Sequence, residues 1–390
     1  MGDHHPSRRA APPLGLRVPR GSDGRLTMRL ASIDILRTVA IVVMVFTHFG
    51  ENLANYTPPF AGFGAPLFVF LSGVSFFLWS EGRLARSATE AEVTKASVRR
   101  GLFVFGAGFA FNLLVWLPED IFNWDVLTFV GSALLVLELA RRMPAPIRLL
   151  VAVMAVLVAP ILRSMADYPA YWETGYFECD LELSEALVGY LATGYFPIFP
   201  WIALSLAGYE TAARMFPRAG TRADSAAASS SIGRIGLALV VASIALLFAR
   251  PLLPVPIARG MLGGWSMFPP TTEYLLGTLG ISMGLLAILH KTIDRAAHPP
   301  IPPSMLRLAK AFSRHSLSIY VLHYIVHLWP MWIAAVLHGD EPTAYWREAM
   351  PTWLSLTLAA AFLALCSVVL ARLGTRQAWG LERCMRWLCD

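Results

Sequence analysis

Three ionisable residues, Asp34, Arg37 and His48, interrupt the apolar segment "ASIDILRTVAIVVMVFTHFG" at residues 31–50. Asp and Arg are costly in hydrocarbon, by about 2.5–3.5 kcal/mol each at a helix centre. In a helix, the 11 residues from Arg37 to His48 return to nearly the same face, about 16 Å along the axis. Asp34 lies three residues before Arg37 and can pair with it. The spacing predicts one polar stripe with a charged pair near one membrane surface and an imidazole near the other.

The polar stripe could bind and react with a ligand, because a guanidinium binds phosphate or carbonyl oxygens and an imidazole exchanges protons near neutral pH. A simpler interpretation stays open for Asp34 and Arg37, which would then only anchor the helix end at the interface. An anchoring role fits His48 less well, since the neighbouring residues Val45, Phe46 and Phe49 are apolar. An ionisable residue inside a membrane is a candidate for function by default.

A second segment, "FSRHSLSIYVLHYIVHLWPMW", repeats the pattern. Ser316, Tyr320, His323 and His327 lie at positions i, i+4, i+7 and i+11, which is one helical face. Two histidines four residues apart can ligate a metal, but no Asp, Glu or Cys accompanies them in this span. We therefore predict no metal site and a polar stripe that lines an internal passage.

The whole composition places these stripes in a membrane protein. The 390 residues are 56% hydrophobic and only 15% charged, whereas a soluble protein has about a quarter charged residues. Apolar stretches of about 17–25 residues predict transmembrane helices. We predict an all-α integral membrane protein, multi-pass, with ten spans at residues 32–50, 62–80, 101–117, 126–139, 149–162, 187–209, 235–253, 272–290, 315–337 and 352–373.

Positive charge predicts the orientation of these spans. With the N-terminus in the cytoplasm, 27 of the 32 Lys and Arg residues fall in cytoplasmic segments. Both termini are then cytoplasmic. We expect residues 1–28 to be a disordered tail or an expression-vector remnant, and residues 29–390 to form a single domain. The Ala- and Ser-rich segment around residues 211–232 reads as a flexible cytoplasmic linker.

Other features narrow the class of function. The net charge of +6 is scattered between apolar runs and forms no basic face, so we predict no nucleic-acid partner. No Gly-rich phosphate loop is present, which disfavours an ATP-driven machine. The outer segment at residues 163–186 combines carboxylates (Asp167, Glu173, Glu178, Asp180, Glu182 and Glu185) with aromatic residues, a composition that suits sugars or a merely solvated surface. Pro197 and Pro200 predict a kink in the sixth span, where irregular backbone can line a cavity.

Four blocks resemble a family of multi-span membrane acyltransferases related to heparan-alpha-glucosaminide N-acetyltransferase. They are "RLASIDILRTVAIVVMVFTHF", "GAPLFVFLSGVSFFL", "FPIFPWIALSLAGY" and "SRHSLSIYVLHYI", in the family's order and spread over most of the chain. The resemblance implies that acyl-CoA, typically acetyl-CoA, enters from the cytoplasm. The acyl group would pass to a sugar or glycan acceptor at the outer side.

The resemblance also implies roles for single residues. His48 matches the catalytic histidine of broader relatives, the sugar O-acyltransferases, and Asp34 and Arg37 match the paired charges that would hold the CoA. Ser316, Tyr320, His323 and His327, together with Trp201 of the Pro-Trp block, become candidates for substrate binding or for the pathway. Two departures matter. Thr38 stands where the family usually has Gly, and "ENLANYTPPF" at residues 51–60 has no His where the heparan-type enzyme carries its catalytic one. The latter leaves N- and O-acylation both open.

Two other classes of function remain as alternatives. A transporter or flippase for a lipid or glycan would use the same histidines as a polar pathway and consume no acyl-CoA. A membrane sensor or scaffold would perform no chemistry. We expect membrane lipids as partners, a bacterial inner membrane as the location, and we leave homodimer formation open.

Overall fold

The structure is a computed structural model that describes residues 30–115, 122–175, 182–216, 225–255, 258, 262–340, 347–373 and 380–390. Helices make up nearly all the regular structure of these ranges, beside an isolated bridge between Met267 and Pro270. The helices are α1 (Ala31–Ala54), α2 (Gly64–Leu84), α3 (Glu90–Val115), α4 (Val126–Ala140), α5 (Ala145–Met165), α6 (Leu183–Val188), α7 (Ile198–Met215), α8 (Ser225–Ala249), α9 (Thr272–Leu289), α10 (Pro303–Arg314), α11 (Ser316–His338), α12 (Thr352–Leu373) and α13 (Leu381–Cys389).

The all-α, multi-span prediction is confirmed. Within the described ranges, eight helices are long and apolar enough to cross a membrane, and they coincide with eight of the ten predicted spans. The sixth predicted span is a pair of helical segments, Leu183–Thr193 and Ile198–Met215, bent by 46°. The fourth is the shorter apolar helix α4, of 15 residues. The chain is therefore an integral membrane protein.

The break in the sixth span lies where the prolines predict it. Pro197 is the extended residue that precedes α7, and Phe199, between the two prolines, has non-helical dihedral angles. Proline lacks the backbone N–H and cannot continue the hydrogen-bond ladder of a helix, so the two segments meet at an angle. The predicted kink is confirmed.

Small residues allow the central helices α2 and α7 to cross closely. A Cβ atom on Gly73 would lie 1.8 Å from the Ser205 carbonyl oxygen, and one on Gly208 would lie 2.0 Å from the Phe70 carbonyl oxygen. Without a hydrophobic driving force between helices in lipid, such close backbone packing is what holds them together. The crossing fixes α2, which forms one wall of the site described below.

Polar contacts gather the ends of several helices at one end of the bundle, called here the inner end. The Ser32 amide at the start of α1 donates to Asp294 after α9, at 3.1 Å. Arg83 at the end of α2 lies 3.0 Å from Asp390 after α13, and Arg141 after α4 lies 2.5 Å from Glu90 at the start of α3. The predicted cytoplasmic loops thus lie together, although orientation in a membrane stays a prediction.

The predicted linker at residues 211–232 is shorter than expected. Residues 211–215 belong to α7, and α8 begins at Ser225, so the Ala- and Ser-rich stretch is the first part of a helix. Alanine is the strongest helix former, and the serines continue into an apolar helix that packs on α9. Residues 217–224, like the predicted tail at 1–28, lie outside the described part.

Candidate functional site

A cavity of about 580 Å³ opens at the inner end between α1, α2, α3, α4, the junction of α10 and α11, and α13. Asp34, Arg37 and Ser316, three of the candidates from the sequence, line it. Along α2 the lining extends from Arg86 to Phe68, which corresponds to about 27 Å of helix axis. The cavity is therefore long enough to take an extended ligand. Its lining contains five arginines and two carboxylates: Arg37, Arg86, Arg100, Arg314, Arg386, Asp34 and Glu382.

Arg37 is held across three helices. Its guanidinium donates to the Ser313 hydroxyl at 2.8 Å and to the Ser313 carbonyl oxygen at 3.3 Å. It also donates to the hydroxyl of Ser75 on α2. Since a guanidinium is a planar fork of donors, bonds on two sides fix the plane in which it can meet an anion or a carbonyl group. The hydroxyl of Thr38, next in the chain, has two acceptors, the Asp34 carbonyl oxygen at 2.8 Å in its own helix and the Ala309 carbonyl oxygen at 3.1 Å on α10.

Toward the outer end, α1 and α11 bring a cluster of rings together. The Nδ1 atom of His48 lies 3.1 Å from the Tyr324 hydroxyl, and the ring centroids of His48 and His323 are 5.5 Å apart. His323 and His327 are 5.7 Å apart by the same measure. Within the described ranges, no group of three His, Cys, Asp or Glu side chains is arranged to hold a metal ion.

The neighbours of His323 determine which of its nitrogens carries the proton. Nδ1 faces two acceptors, the carbonyl oxygens of Ile319 and Tyr320, so we assign the hydrogen to Nδ1. The lone pair of the neutral ring is then on Nε2, which is buried and has no hydrogen-bond partner among the described residues. Such an atom costs about 1–3 kcal/mol of stability, and that cost calls for a functional explanation.

Two further contacts hold the cluster in place. The Nδ1 atom of His327 lies 2.5 Å from the His323 carbonyl oxygen, and its Nε2 lies 2.8 Å from the amide nitrogen of Asn52 on α1. The Tyr320 hydroxyl donates at 2.5 Å to Asp125, whose other carboxylate oxygen accepts from the first N–H of α4. His327 therefore links α11 to α1, and Tyr320 links α11 to the start of α4.

His48 differs from the other histidines in its accessibility. Its side chain is 28% exposed, whereas His323 is fully buried. Glu51 lies one turn further along α1, with a carboxylate oxygen 3.9 Å from His48 Nδ1. Tyr324 and Glu51 both lie on the Nδ1 side of the ring, so these two contacts leave Nε2 unengaged. A carboxylate in this place favours hydrogen on Nδ1 and stabilises an imidazolium.

The inner cavity and the ring cluster are connected along α11. Ser316 lines the cavity, Tyr320 follows one turn later, and the Tyr320 and His323 rings are 5.6 Å apart. Helices α1 and α11 run in the same direction from the inner end, since Arg37 meets Ser313 at one level and His48 meets Tyr324 at the other. The two stripes predicted from the sequence thus lie side by side. Such an arrangement can bind an anion at the inner end and move a proton near the outer end.

A family model described as heparan-alpha-glucosaminide N-acetyltransferase, catalytic, matches residues 29–248, which is more than half of the chain. The chain belongs to this family. Membership identifies it as a membrane acetyltransferase and agrees with the family that the four sequence blocks indicate. No curated protein matches the chain.

The family match covers only part of the site. Residues 29–248 include Asp34, Arg37, His48 and Trp201, together with the α2 wall of the cavity. The histidines of α11 lie beyond the matched range. The structure nevertheless joins both regions through contacts between α1 and α11, so the candidate site is built from matched and unmatched parts of the chain.

Trp201 lies apart from both halves of the site. It is fully buried in the core, with its ring centroid 5.0 Å from that of Phe196 and 6.4 Å from that of Tyr274. It does not line the cavity, and its ring contacts among the described residues do not include the histidines. Trp201 follows the break at Phe199 by two residues, and its indole packs into the core at this bend. A role of Trp201 in substrate binding stays a prediction, without a contact that supports it.

Several site residues were not anticipated. Ser75, Ser313, Asp125 and Tyr324 contact the candidate residues, but nothing in the sequence marks the first three as their partners. Tyr324 does offer a signal in retrospect, because it lies one residue after His323 on the same helix. The C-terminal helix α13 was also missed as a cavity wall, since its nine residues are too few to read as a span.

The outer loops form an aromatic cluster that is linked to α11 through Trp124 and Asp125. Trp172 packs edge-on against Tyr195 with centroids 4.9 Å apart, and Tyr195 lies 5.5 Å from Phe268. The amide of Phe196 donates at 3.0 Å to the Trp124 carbonyl oxygen, one residue before the Asp125 that holds Tyr320. The cluster is thereby tied to α11. Glu178 and Asp180 of the predicted acidic segment lie outside the described residues.

Proposed function

We propose that the protein transfers an acetyl group from acetyl-CoA, bound in the inner cavity, to a sugar or glycan acceptor at the outer end. The observation that carries the proposal is the continuous line of side chains from Arg37 and Ser316 at the cavity to His48. Family membership supports the acetyl group, while the identity of donor and acceptor rests on this geometry.

The donor fits the inner cavity by charge and by length. An excess of arginines in the lining favours a polyanion such as CoA. A pantetheine arm is about as long as the 16 Å between Arg37 and His48 along α1. With Arg37 on the phosphate or carbonyl oxygens, the thioester would reach toward the His48 ring. Holding both reactants in this way converts a collision into an intramolecular step.

His48 is the residue to which we assign the transfer. Its partly exposed ring can meet an acceptor, and its Nε2 can take the proton of an acceptor hydroxyl or amine. The acceptor oxygen or nitrogen then forms a bond to the acetyl carbon, the bond from that carbon to sulfur breaks, and the thiolate recovers the proton from His48. Tyr324 and Glu51 would hold the ring throughout. Transient acetylation of Nε2 is the other chemistry that this nitrogen supports.

The acceptor side is supported by the outer aromatic cluster. Trp172, Tyr195 and Phe268 offer apolar ring faces, on which the carbon faces of sugars stack, next to exposed carboxylates such as Glu173 and Glu182. The donor and acceptor would therefore meet at His48 from opposite ends of the bundle. Such a division places the acceptor in the outer compartment when the inner end faces the cytoplasm.

The test uses the purified full-length protein. We expect CoA or acetyl-CoA to co-purify in mass spectrometry, and labelled acetyl groups to pass from acetyl-CoA to glucosamine-containing oligosaccharides. His48→Ala should bind acetyl-CoA normally and lose turnover by roughly 10²-fold, the scale for losing a general base. His48→Gln, which keeps hydrogen bonding without comparable basicity, should be nearly as inactive. Most of the turnover surviving in His48→Ala would overturn the assignment. Glycan transport into liposomes without acetyl-CoA consumption would overturn the function itself.

A further inference from the structure

The mouth of the inner cavity contains a cluster of side chains that the transfer step does not use. Two guanidinium groups lie over the ring of Trp79 near the end of α2. The Cζ atom of Arg100 is 4.4 Å from the ring centroid, and that of Arg83 is 5.6 Å away. Trp79 and Arg100 line the cavity. We call Trp79, Arg83 and Arg100 the Trp79 corner.

A carboxylate occupies the centre of this corner. Asp390, just after α13, accepts from Arg83 at 3.0 Å and from the Nε of Arg100 at 3.1 Å, with a further bond from Arg100 Nη2. Its oxygens therefore sit between two planar cation forks, where the oxygens of a phosphate group would fit equally well. Asp390 belongs to the same C-terminal segment whose helix closes one wall of the cavity through Glu382, Met385 and Arg386. The Trp79 corner thus binds the protein's own carboxylate, Asp390, in a place where the phosphate of a ligand could bind instead.

The corner also lies at the correct distance from the residues assigned to the thioester. Trp79 is one helical turn, about 6 Å, from Ser75, which binds Arg37. Arg37 is in turn about 16 Å from His48. A ligand that reached from Trp79 to His48 would span about 22 Å along these helices. It would need an aromatic base and phosphates at the inner end, and a flexible arm beyond them.

We propose that the Trp79 corner binds the adenosine 3′,5′-bisphosphate end of acyl-CoA, and that this ligand displaces Asp390 from the two arginines. The adenine stacks on the ring of Trp79, over which the guanidinium groups of Arg83 and Arg100 already lie. A phosphate group takes the place of the Asp390 carboxylate between the two arginines. The proposal rests on the proposed function, because it assigns the nucleotide end of the same donor.

Displacement of Asp390 by the ligand predicts the direction in which each substitution changes the affinity. Asp390 competes with the ligand for Arg83 and Arg100, so removing its charge should tighten binding. Removing an arginine or the indole should weaken it. Since a misfolded variant loses affinity and does not gain it, a gain in Asp390→Asn cannot come from damage to the fold.

The experiment measures binding of adenosine 3′,5′-bisphosphate to the full-length protein by isothermal titration calorimetry. We expect Arg100→Ala to weaken binding by at least about tenfold, as for loss of a charge-assisted contact. Trp79→Leu should weaken it by about threefold to tenfold, the scale of a stacked base. Asp390→Asn should tighten it by about threefold, as for removing one partly exposed charge. Arg100→Lys should fall between wild type and Arg100→Ala.

Controls separate this proposal from its alternatives. Arg142→Ala removes an exposed inner-end arginine outside the cavity and should leave binding unchanged. 5′-ADP, which lacks the 3′-phosphate, should bind more weakly than the bisphosphate. Equal affinity of wild type, Arg100→Ala, Trp79→Leu and Asp390→Asn would overturn the corner as the nucleotide site. Loss of nucleotide binding in nanodiscs of phosphatidylglycerol, with lipid binding that depends on Arg100, would overturn it in favour of a lipid headgroup.

The two proposals fail in distinguishable ways. If acetyl-CoA binds and is consumed, but none of the corner variants changes its affinity, only the nucleotide site is wrong. If the folded wild-type protein binds neither acetyl-CoA nor the bisphosphate, the proposed donor is wrong as well.

Discussion

Replacing Arg37 by alanine is the sharpest test of how the donor is held. The guanidinium joins α1 to Ser313 and to Ser75 on α2, and it lines the cavity. A hydrogen bond from a charged donor contributes about 1.5–3 kcal/mol, which corresponds to roughly 10- to 150-fold in affinity. The cavity is open to water, so we expect the lower part of this range. Arg37→Ala should therefore raise the dissociation constant for acetyl-CoA by about 10- to 50-fold.

Two milder variants show whether the geometry of Arg37 matters as well as its charge. Arg37→Lys keeps a cation but loses the planar fork, and should recover only part of the affinity. Ser313→Ala keeps the guanidinium and removes one of its supports. Since a net hydrogen bond contributes about 0.5–1.5 kcal/mol, the affinity should fall by about two- to tenfold.

The assay is titration calorimetry of acetyl-CoA with the purified protein, together with thermal unfolding to exclude a loss of fold. Arg142→Ala serves as the charge control, because its exposed side chain lies outside the cavity lining. The KM for acetyl-CoA should rise much more than that for the acceptor once an acceptor is identified. The reasoning fails if Arg37→Ala binds acetyl-CoA as wild type does, or if both KM values rise equally. Arg37 would then be an anchor of the helix end.

Three other predictions follow from the packing and the topology. His323→Ala should lower acetyl transfer by about 10-fold or more by removing the buried base beside His48, while Val326→Ala on the lipid-facing side of the same helix should not. A cysteine at Ser304, in a chain without its native cysteines, should react with a membrane-impermeant maleimide only after cells are permeabilised, because we predict that the inner end faces the cytoplasm. Gly208→Ala should lower stability by about 1–3 kcal/mol or more through its clash at the crossing of α2 and α7, whereas Gly284→Ala, with open space around it, should be tolerated.

Each of these predictions has a result that contradicts it. Full turnover of His323→Ala would leave its unpartnered Nε2 without a catalytic reason. Labelling of the Ser304 cysteine in intact cells would invert the topology, and a cysteine at Ser184 near the outer end provides the opposite control. Equal thermal stability of the two glycine variants would mean that the helix crossing relaxes at no cost.

The sequence predicts the spans because length and apolarity are local properties of a segment. The same reasoning finds the two stripes, since helical periodicity alone places Arg37 and His48, or Ser316 and His327, on one face. It cannot find the partners of these residues. Arg37 meets Ser313 across 276 positions of the chain, and Tyr320 meets Asp125 across 195.

Two features of the structure cannot be read from the sequence, for a common physical reason. Burial of Trp201 in the core depends on how the broken sixth span packs against α9, and no period in the sequence encodes that. Part of the predicted linker at residues 211–232 is helical in the structure, and composition could not show this because flexible linkers and helices share alanine and serine. Only the continuation into an apolar helix that packs on α9 decides between them.

The buried rings between the cavity and the outer end would also insulate the membrane. A water-filled passage from Arg37 to His48 would conduct protons and small ions, and each acetyl transfer would then dissipate part of the ion gradient. Tyr320 and His323 are 4% and 0% exposed, so their rings are packed away from solvent at this level. An arm that enters would replace these contacts with its own. In the proposed reaction, such packing would keep the electrical barrier while the donor and the acceptor meet from two compartments.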